Sequence, residues 1–334
     1  MFDNKNIATI VDVSAFGIAP GGILTSFTND DYSIVNVPSN VVALSGGVFE
    51  GCTSIKTLVL PKDLASIVGS RTFAGCTSLN SIAIPNQVTS IPEQAFYNCS
   101  SLAYASMGKD VIFIGTSAFL DDISLVTMSR FEDPDPSHTF DKVGDYAFCN
   151  TALKRINLSL RSAGIDNFWG DYCFASCDNL EEVNILSACY MSNHMFSGCK
   201  NLKTVNFKNS QTSYAYPGVF EGCTSLEKVT IPSKIWFISE EMFKDCTSLK
   251  SVEFNDYQIS SSMTNLMQKN AFNGCSSMRS LSLPASFSSF GCFDDACLCG
   301  CALTSLSIPG IPISDVYSFS GFDDTLKKTG LFRL

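Results

Sequence analysis

Fifteen cysteines, two histidines and a proline-broken acidic run hold most of this chain's potential for covalent or metal chemistry. Cys297, Cys299 and Cys301, with Cys292 nearby, form the densest thiol group. Zinc sites favour C-x-x-C pairs matched by a second pair, and a lone C-x-C-x-C run offers neither. His138 and His194 have no Cys, Ser or carboxylate partner at a recognisable catalytic spacing, so surface or loop positions are expected for both. Glu132-Asp133-Pro134-Asp135-Pro136 lacks the alternating oxygen ligands and glycine turn of an EF-hand, and reads as a solvated loop within 131–140, with a weak calcium site as the alternative. Glycine-rich phosphate loops, G-x-S-x-G elbows and H-E-x-x-H pairs are absent from the sequence. The expectation is therefore no catalytic residue, no cofactor and no metal, in a chain that is not an enzyme.

What organises the cysteines is a repeat. Cys52, Cys76, Cys99, Cys177, Cys199, Cys223, Cys246 and Cys275 each follow a phenylalanine by three residues and precede a leucine-like residue by three. The leading rings are Phe49, Phe73, Phe96, Phe174, Phe196, Phe220, Phe243 and Phe272. Three variants complete the series: Phe119 with Asp122 in place of cysteine, and the shortened copies at Phe148 and Leu298. About eleven units at a period near 24 residues define a repeat array, in which each unit buries its apolar edge only against the next. Eight cysteines in one frame then predict a ladder of buried free thiols, each packing as a small hydrophobe. Cys301 falls where Thr151 stands in the other shortened unit, which assigns it to packing too.

A second motif, L-x-x-L-x-L, follows each ring and is often closed by proline, as in Leu79, Ile82, Ile84 and Pro85. Its last two apolar positions alternate with polar ones, the period of a strand with one buried face. Proline ends the strand because it lacks an N–H for the ladder. A third apolar cluster, such as Val88, Ile91 and Ala95, precedes the next ring, so each unit reads as a strand, a turn, a second extended segment and a tight turn back. The residue just before each cysteine position is Gly, Asn or Asp in ten of eleven units, with Ser176 the exception. Those types tolerate positive φ, which is expected there. Phe96, Phe119, Phe148 and Phe174 recur 124 residues later at Phe220, Phe243, Phe272 and Leu298, a rhythm that suggests duplication of a five-unit block. Residues 1–31 and 311–334 are expected to cap a solenoid spanning 32–310.

The frame Thr72-Phe73-Ala74-Gly75-Cys76-Thr77-Ser78-Leu79 through Ile84-Pro85 resembles the BspA-type leucine-rich repeat. That resemblance covers roughly residues 32–310. It implies a repeat solenoid, a right-handed leucine-rich-repeat superhelix with one parallel β-sheet face and short extended or 3-10 segments on the other. It also implies a surface or secreted protein of an adhesin-like kind, whose partner is a protein or a glycan, the host being one source. No adhesive motif of the family maps residue by residue onto this chain.

Bulk properties narrow the partner. Hydrophobic residues make up 45% and charged residues 16%, a balance incompatible with disorder. The net charge of −10 repels phosphate backbones and anionic membranes, which argues against nucleic acid. No apolar run is long enough to span a bilayer, and residues 1–13 show no basic start followed by an apolar stretch. A monomer is expected. Outward strand positions run from Thr57 and Val59 to Ser305 and Ser307 and are mostly small and hydroxylated, a composition that can satisfy itself by cross-strand hydrogen bonds. Interface hot spots favour Tyr, Trp and Arg. Tyr104, Arg155, Glu182 and Lys228 are accordingly the candidate partner-binding residues, with the loop Phe131–Phe140 and Tyr214-Ala215-Tyr216 as alternatives. An intracellular scaffold using the same face is the competing reading.

Overall fold

The computed structural model describes residues 13–28, 31–133, 139–159, 169–187, 190–208, 214–235, 237–255, 266–285, 287, 293–294 and 296–308. His138, Cys292, Pro134 to Pro136 and the expected cap at 311–334 lie outside them. The chain is a β-solenoid of about eleven turns with parallel strands and almost no helix. Its coils group into two compact units, one of Met1–Asp133 with Lys142–Leu153, the other of Pro134–Asp141 with Lys154–Leu334.

In the first unit, Ile34–Asn36, Thr57–Val59, Ser81–Ala83, Tyr104–Ser106 and Thr127–Met128 form one five-stranded parallel sheet. Each full central strand has one inward residue between two outward ones: Leu58, Ile82 and Ala105 are buried. Two-residue strands on the opposite side, from Ala43–Leu44 to Lys142–Val143, build the second wall. An antiparallel hairpin of Phe16–Ala19 and Ile23–Phe27 stands before the first full coil. Its Phe16 and Phe27 rings lead into Phe49 at centroid separations of 5.2 Å each.

The second unit repeats the plan. Arg155–Leu158, Glu182–Ile185 and Thr204–Phe207 pair in parallel, as do Lys228–Ile231 with Ser251–Phe254 and Ser280–Ser282 with Ser305–Ser307. Trp169 is fully buried, with its ring edge-on to Phe140 at 6.0 Å and tilted against Phe174 at 5.6 Å.

Within each unit the repeat phenylalanines form a column. Phe49, Phe73, Phe96, Phe119 and Phe148 stack at 5.7, 4.8, 4.9 and 5.2 Å with ring planes within 12°. Phe174, Phe196, Phe220, Phe243 and Phe272 stack at 5.7, 5.7, 5.6 and 5.3 Å. Near-parallel planes at these separations are offset stacks, which the ring quadrupole prefers over a face-to-face sandwich.

Backbone hydrogen bonds fix the rings. Within each unit the amide of a ring residue donates to the carbonyl of the residue before the next ring, as from Phe73 to Ala95 at 2.8 Å and from Phe196 to Val219 at 2.9 Å. Left-handed backbone is found at all eleven positions before the cysteine frame, Ser176 included (φ 58°). Eleven more left-handed residues stand two positions ahead of each ring, and there the types carry no signal: Arg71, Gln94, Tyr146, His194 and Glu241 are among them. The amides of Arg71, Gln94, His194 and Glu241 belong to the same ladder, with Arg71 donating to Glu93 and His194 to Pro217. The inter-coil bonds thus impose a conformation costing roughly 1–2 kcal/mol per residue.

The thiol ladder is present, and it does more than pack. All eight predicted cysteines are buried and none is in a disulfide. Sγ of Cys76, Cys99, Cys199, Cys223, Cys246 and Cys275 donates to the phenylalanine carbonyl one coil back, at 3.0 to 3.2 Å. Cys301 makes the same bond to Phe272 at 3.2 Å and is a further rung. Thr151, at the matching place, bonds its own coil's Phe148 carbonyl at 3.0 Å instead. Burial pushes the Cys223, Cys246 and Cys297 thiols well up, so they stay protonated and able to donate.

The two 29-residue units place their extra length after the outward strand. In the first copy it becomes a helical turn, Ser129–Glu132, in which Arg130 and Phe131 are buried. One Arg130 guanidinium nitrogen donates to the carbonyls of Gly108, Lys109 and Val111 at 3.1, 2.7 and 3.0 Å, closing the turn beneath it. Burial lowers the Arg130 pKa from its ordinary value. In the second copy the extra residues, 256–265, lie outside the described residues.

Candidate functional site

Parallel pairing sets outward residues of successive strands side by side. Thr57 faces Ser81, which faces Tyr104, which faces Thr127. In the second unit Arg155, Glu182 and Thr204 are in register, as are Asn157, Asn184 and Asn206 one step on. The hydrophobic alternation read from sequence therefore gives the register, because a slip of one residue would turn the whole buried row outward.

Tyr104 is 41% exposed in the first unit, its ring free of the core. The other three candidates stand in the second unit and are already paired. Arg155 Nε donates to Glu182 at 2.7 Å, and Lys228 meets Glu253 at 2.6 Å. Burial alone would push the Glu182 carboxyl up, but hydrogen bonds from Asn184 and Arg155 outweigh it and hold the pKa below the usual value. The hydrogen bond from Lys228 holds Glu253 down in the same way. Asn206 continues the chain, donating to Asn184 Oδ1 at 2.9 Å. These charges order the surface as cross-strand pairs, the sheet counterpart of helix pairs. Of the alternatives, Phe131 is buried against Phe148, and Tyr216 is 47% exposed.

A second constellation escaped the sequence. His194, Glu221 and Glu241 come from three consecutive coils and bring their ligand atoms within 4.8 Å of one another. His194 Nδ1 lies 3.1 Å from Glu221, and its ring stacks on Tyr172 at 4.8 Å. Gly218 makes the room: a Cβ there would sit 2.1 Å from His194 Nδ1. One nitrogen and two oxygens would suit a divalent metal. Lys244 already provides the positive charge, however, bridging Glu221 at 2.9 Å and Glu241 at 3.0 Å. The hydrogen bond to Glu221, then that to Glu241, raises the lysine pKa. These residues flank the rings at two places before and one place after, positions whose meaning depends on neighbouring coils. Their sequence separations of 27 and 20 match no ligand motif.

Parallel coils, buried rings and an outward strand per turn define a leucine-rich-repeat solenoid. The sequence matches the BspA type leucine rich repeat region in six copies, over residues 24–135, 134–215, 167–291 and 253–325, and the chain belongs to that family. It is similar in fold to a leucine-rich repeat protein from Bacteroides ovatus, at 21% identity and a TM-score of 0.59 over 90% of this chain and 83% of that one. A leucine rich repeat protein of T. pallidum aligns at 25% identity and a TM-score of 0.44 over 65% of this chain and 90% of that one. A leucine rich cell surface protein from Faecalibacterium prausnitzii aligns at 16% identity and a TM-score of 0.33 over 92% and 96%. No curated protein sequence matches.

Proposed function

We propose that this chain is a non-enzymatic binding protein, of an adhesin-like kind, which presents its outward sheet face to a protein or glycan partner at the cell surface. The observation that carries this reading is the division of labour within each coil. Rings, thiols and leucines are spent on the shared interior, while the strands set ordered polar columns facing outward. Function in such scaffolds resides in the surface grafted onto them, and extended faces are what repeat arrays use for recognition. Tyr104, Arg155, Glu182 and Lys228 are the proposed contacts.

An array of matrix proteins and glycans probed with the full chain tests the reading. Binding should appear and should weaken when Tyr104→Ala is combined with Arg155→Ala and Lys228→Ala, but not with Glu50→Ala, which lies on the turn edge beside Arg71. Silence across the array, or binding indifferent to every face variant, would refute it. Labelling of intact cells with an impermeant reagent tests the location, and a chain labelled only after lysis would place it inside. That second reading, an intracellular scaffold, is favoured by the thirteen cysteines among the described residues, none of them in a disulfide, a state that a reducing cytosol maintains.

A further inference from the structure

Of the eleven left-handed residues that stand two places before a ring, only Gly47 and Gly218 are glycine. Conformation does not demand glycine there, since Arg71, Gln94, Tyr172 and His194 hold the same backbone. At Gly218 the reason is room. His194, Gly218 and Glu241 are equivalent positions of three successive coils in the second unit, and the imidazole lies across Gly218, where any Cβ would overlap Nδ1. His194 and Glu241 thus stand two coils apart, about 10 Å by parallel-strand spacing. With no side chain between them, their ligand atoms and that of Glu221 still come within 4.8 Å of one another.

We propose that His194 Nδ1, Glu221 and Glu241 form a binding site for a divalent transition ion of the zinc class, which enters by displacing the Lys244 ammonium. One imidazole nitrogen with two carboxylates is a donor set that suits zinc, whereas calcium and magnesium prefer oxygen throughout. The imidazole is preset, because its ring stacks on Tyr172 at 4.8 Å with planes within 7° and this fixes where Nδ1 points. Three protein ligands leave a fourth tetrahedral position. The ligand side chains are 21 to 26% exposed, so water reaches that position.

Charge decides what the site takes. Glu221 and Glu241 carry two negative charges, and Lys244 answers with one positive charge, at 2.9 and 3.0 Å. His194 Nδ1 meets the other Glu221 oxygen at 3.1 Å. With a neutral imidazole, one negative charge is left over in a half-buried place where water screens it only in part. A divalent ion cancels both carboxylates at once. The Lys244 ammonium ends a flexible four-carbon stem and turns into water without disturbing a coil. The imidazole proton then resides on Nε2, which leaves the Nδ1 lone pair to the ion. An ion so held ties three coils together through side chains alone.

Addition of Zn2+ to the full chain, followed by calorimetry and by the imidazole resonances of its two histidines, tests the proposal. A stoichiometric amount is expected to shift the His194 resonances and leave those of His138 in place, a measurement that needs no variant. His194→Ala and Glu241→Gln are each expected to weaken binding about tenfold or more. Lys244→Met is expected to tighten it about tenfold, because the competing ammonium is gone. Unchanged melting temperatures check that the variants fold. Co2+ reports the donors: bound here it gives only weak visible bands. Intense near-ultraviolet thiolate absorption that survives His194→Ala assigns the ion to cysteines and overturns the site. Mg2+ binding as tightly as Zn2+ overturns the ion class. The proposal also falls if excess Zn2+ leaves His194 unmoved in the native chain and in Lys244→Met, or if that variant binds no more tightly than the native chain.

Discussion

Asp122 stands where seven described rungs carry a thiol that donates to the preceding coil, and its replacement by cysteine should stabilise the protein. The Asp122 side chain is fully buried; its Oδ1 accepts the Cys99 amide at 2.7 Å, while Oδ2 has no partner. Burial raises its pKa well above the usual carboxylate value, the Cys99 amide lowers it, and the charges of Asp121 and Cys76 raise it further. A folded-state pKa above an unfolded value of about 3.9 has a definite sign. The native state then prefers the protonated acid, so the cost of burying its charge is absent below about pH 4 and grows as pH rises toward the folded pKa, in addition to the cost of the unpaired Oδ2. The penalty for a buried acceptor left unpaired is about 1–3 kcal/mol. Asp122→Cys removes it and places Sγ to reach the Phe96 carbonyl, as Cys99 reaches Phe73 at 3.1 Å. The Cys99 amide keeps a second acceptor, the Phe96 carbonyl at 3.0 Å. Thermal melts of both proteins from pH 3.5 to 8 should diverge as pH rises. The variant should gain about 1–3 kcal/mol at pH 8, roughly 2–10 °C for a unit of this size. Equal stability at pH 8, or a gap that does not change with pH, would refute the argument that a charge is being buried.

Truncating a central ring, Phe220→Ala, removes two stacks at once and should cost about 3–5 kcal/mol, read by chemical denaturation. Arg155→Ala should change stability by no more than about 1 kcal/mol, because the pair is surface-exposed. It should nonetheless bring the Glu182 pKa up toward its ordinary value in an NMR titration. Because Glu182 is depressed in the fold, the stability it lends is present above the unfolded pKa and fades as pH falls through the folded one. Thiol reagent applied to native protein should leave the ladder cysteines unreacted, and denaturant should release them. Fewer than half reacting once unfolded would mean that disulfides, not free thiols, fill the column. Gly218→Ala should displace His194, since no Cβ fits between them and φ there is 66°. A shift of the His194 imidazole resonances, or its absence, decides that point.

Period, interior and strand register were all legible in the order of amino acids. Each depends on preferences that one coil expresses by itself: rings and leucines seek burial, alternation turns one side of a strand inward, and Gly, Asn or Asp accept positive φ before the cysteine. Repetition then averaged the noise, which is why even Ser176 could be placed by its neighbours. Tyr104, Arg155, Glu182 and Lys228 were set on outward strands, but sequence could not show that the last three would be engaged in cross-strand ion pairs or that Tyr104 would stand in a different compact unit. Stacking alone decided the rest. Left-handed backbone at Arg71, Gln94 and Glu241 goes against their types and is held by bonds to the adjacent coil. The thiols found carbonyl acceptors one turn away, and His194, Glu221, Glu241 and Lys244 met only because three coils superimpose. Burial is a property of a residue and its periodic position; pairing belongs to two coils at once, and a linear pattern carries no record of which side chains their superposition will bring within 3 Å.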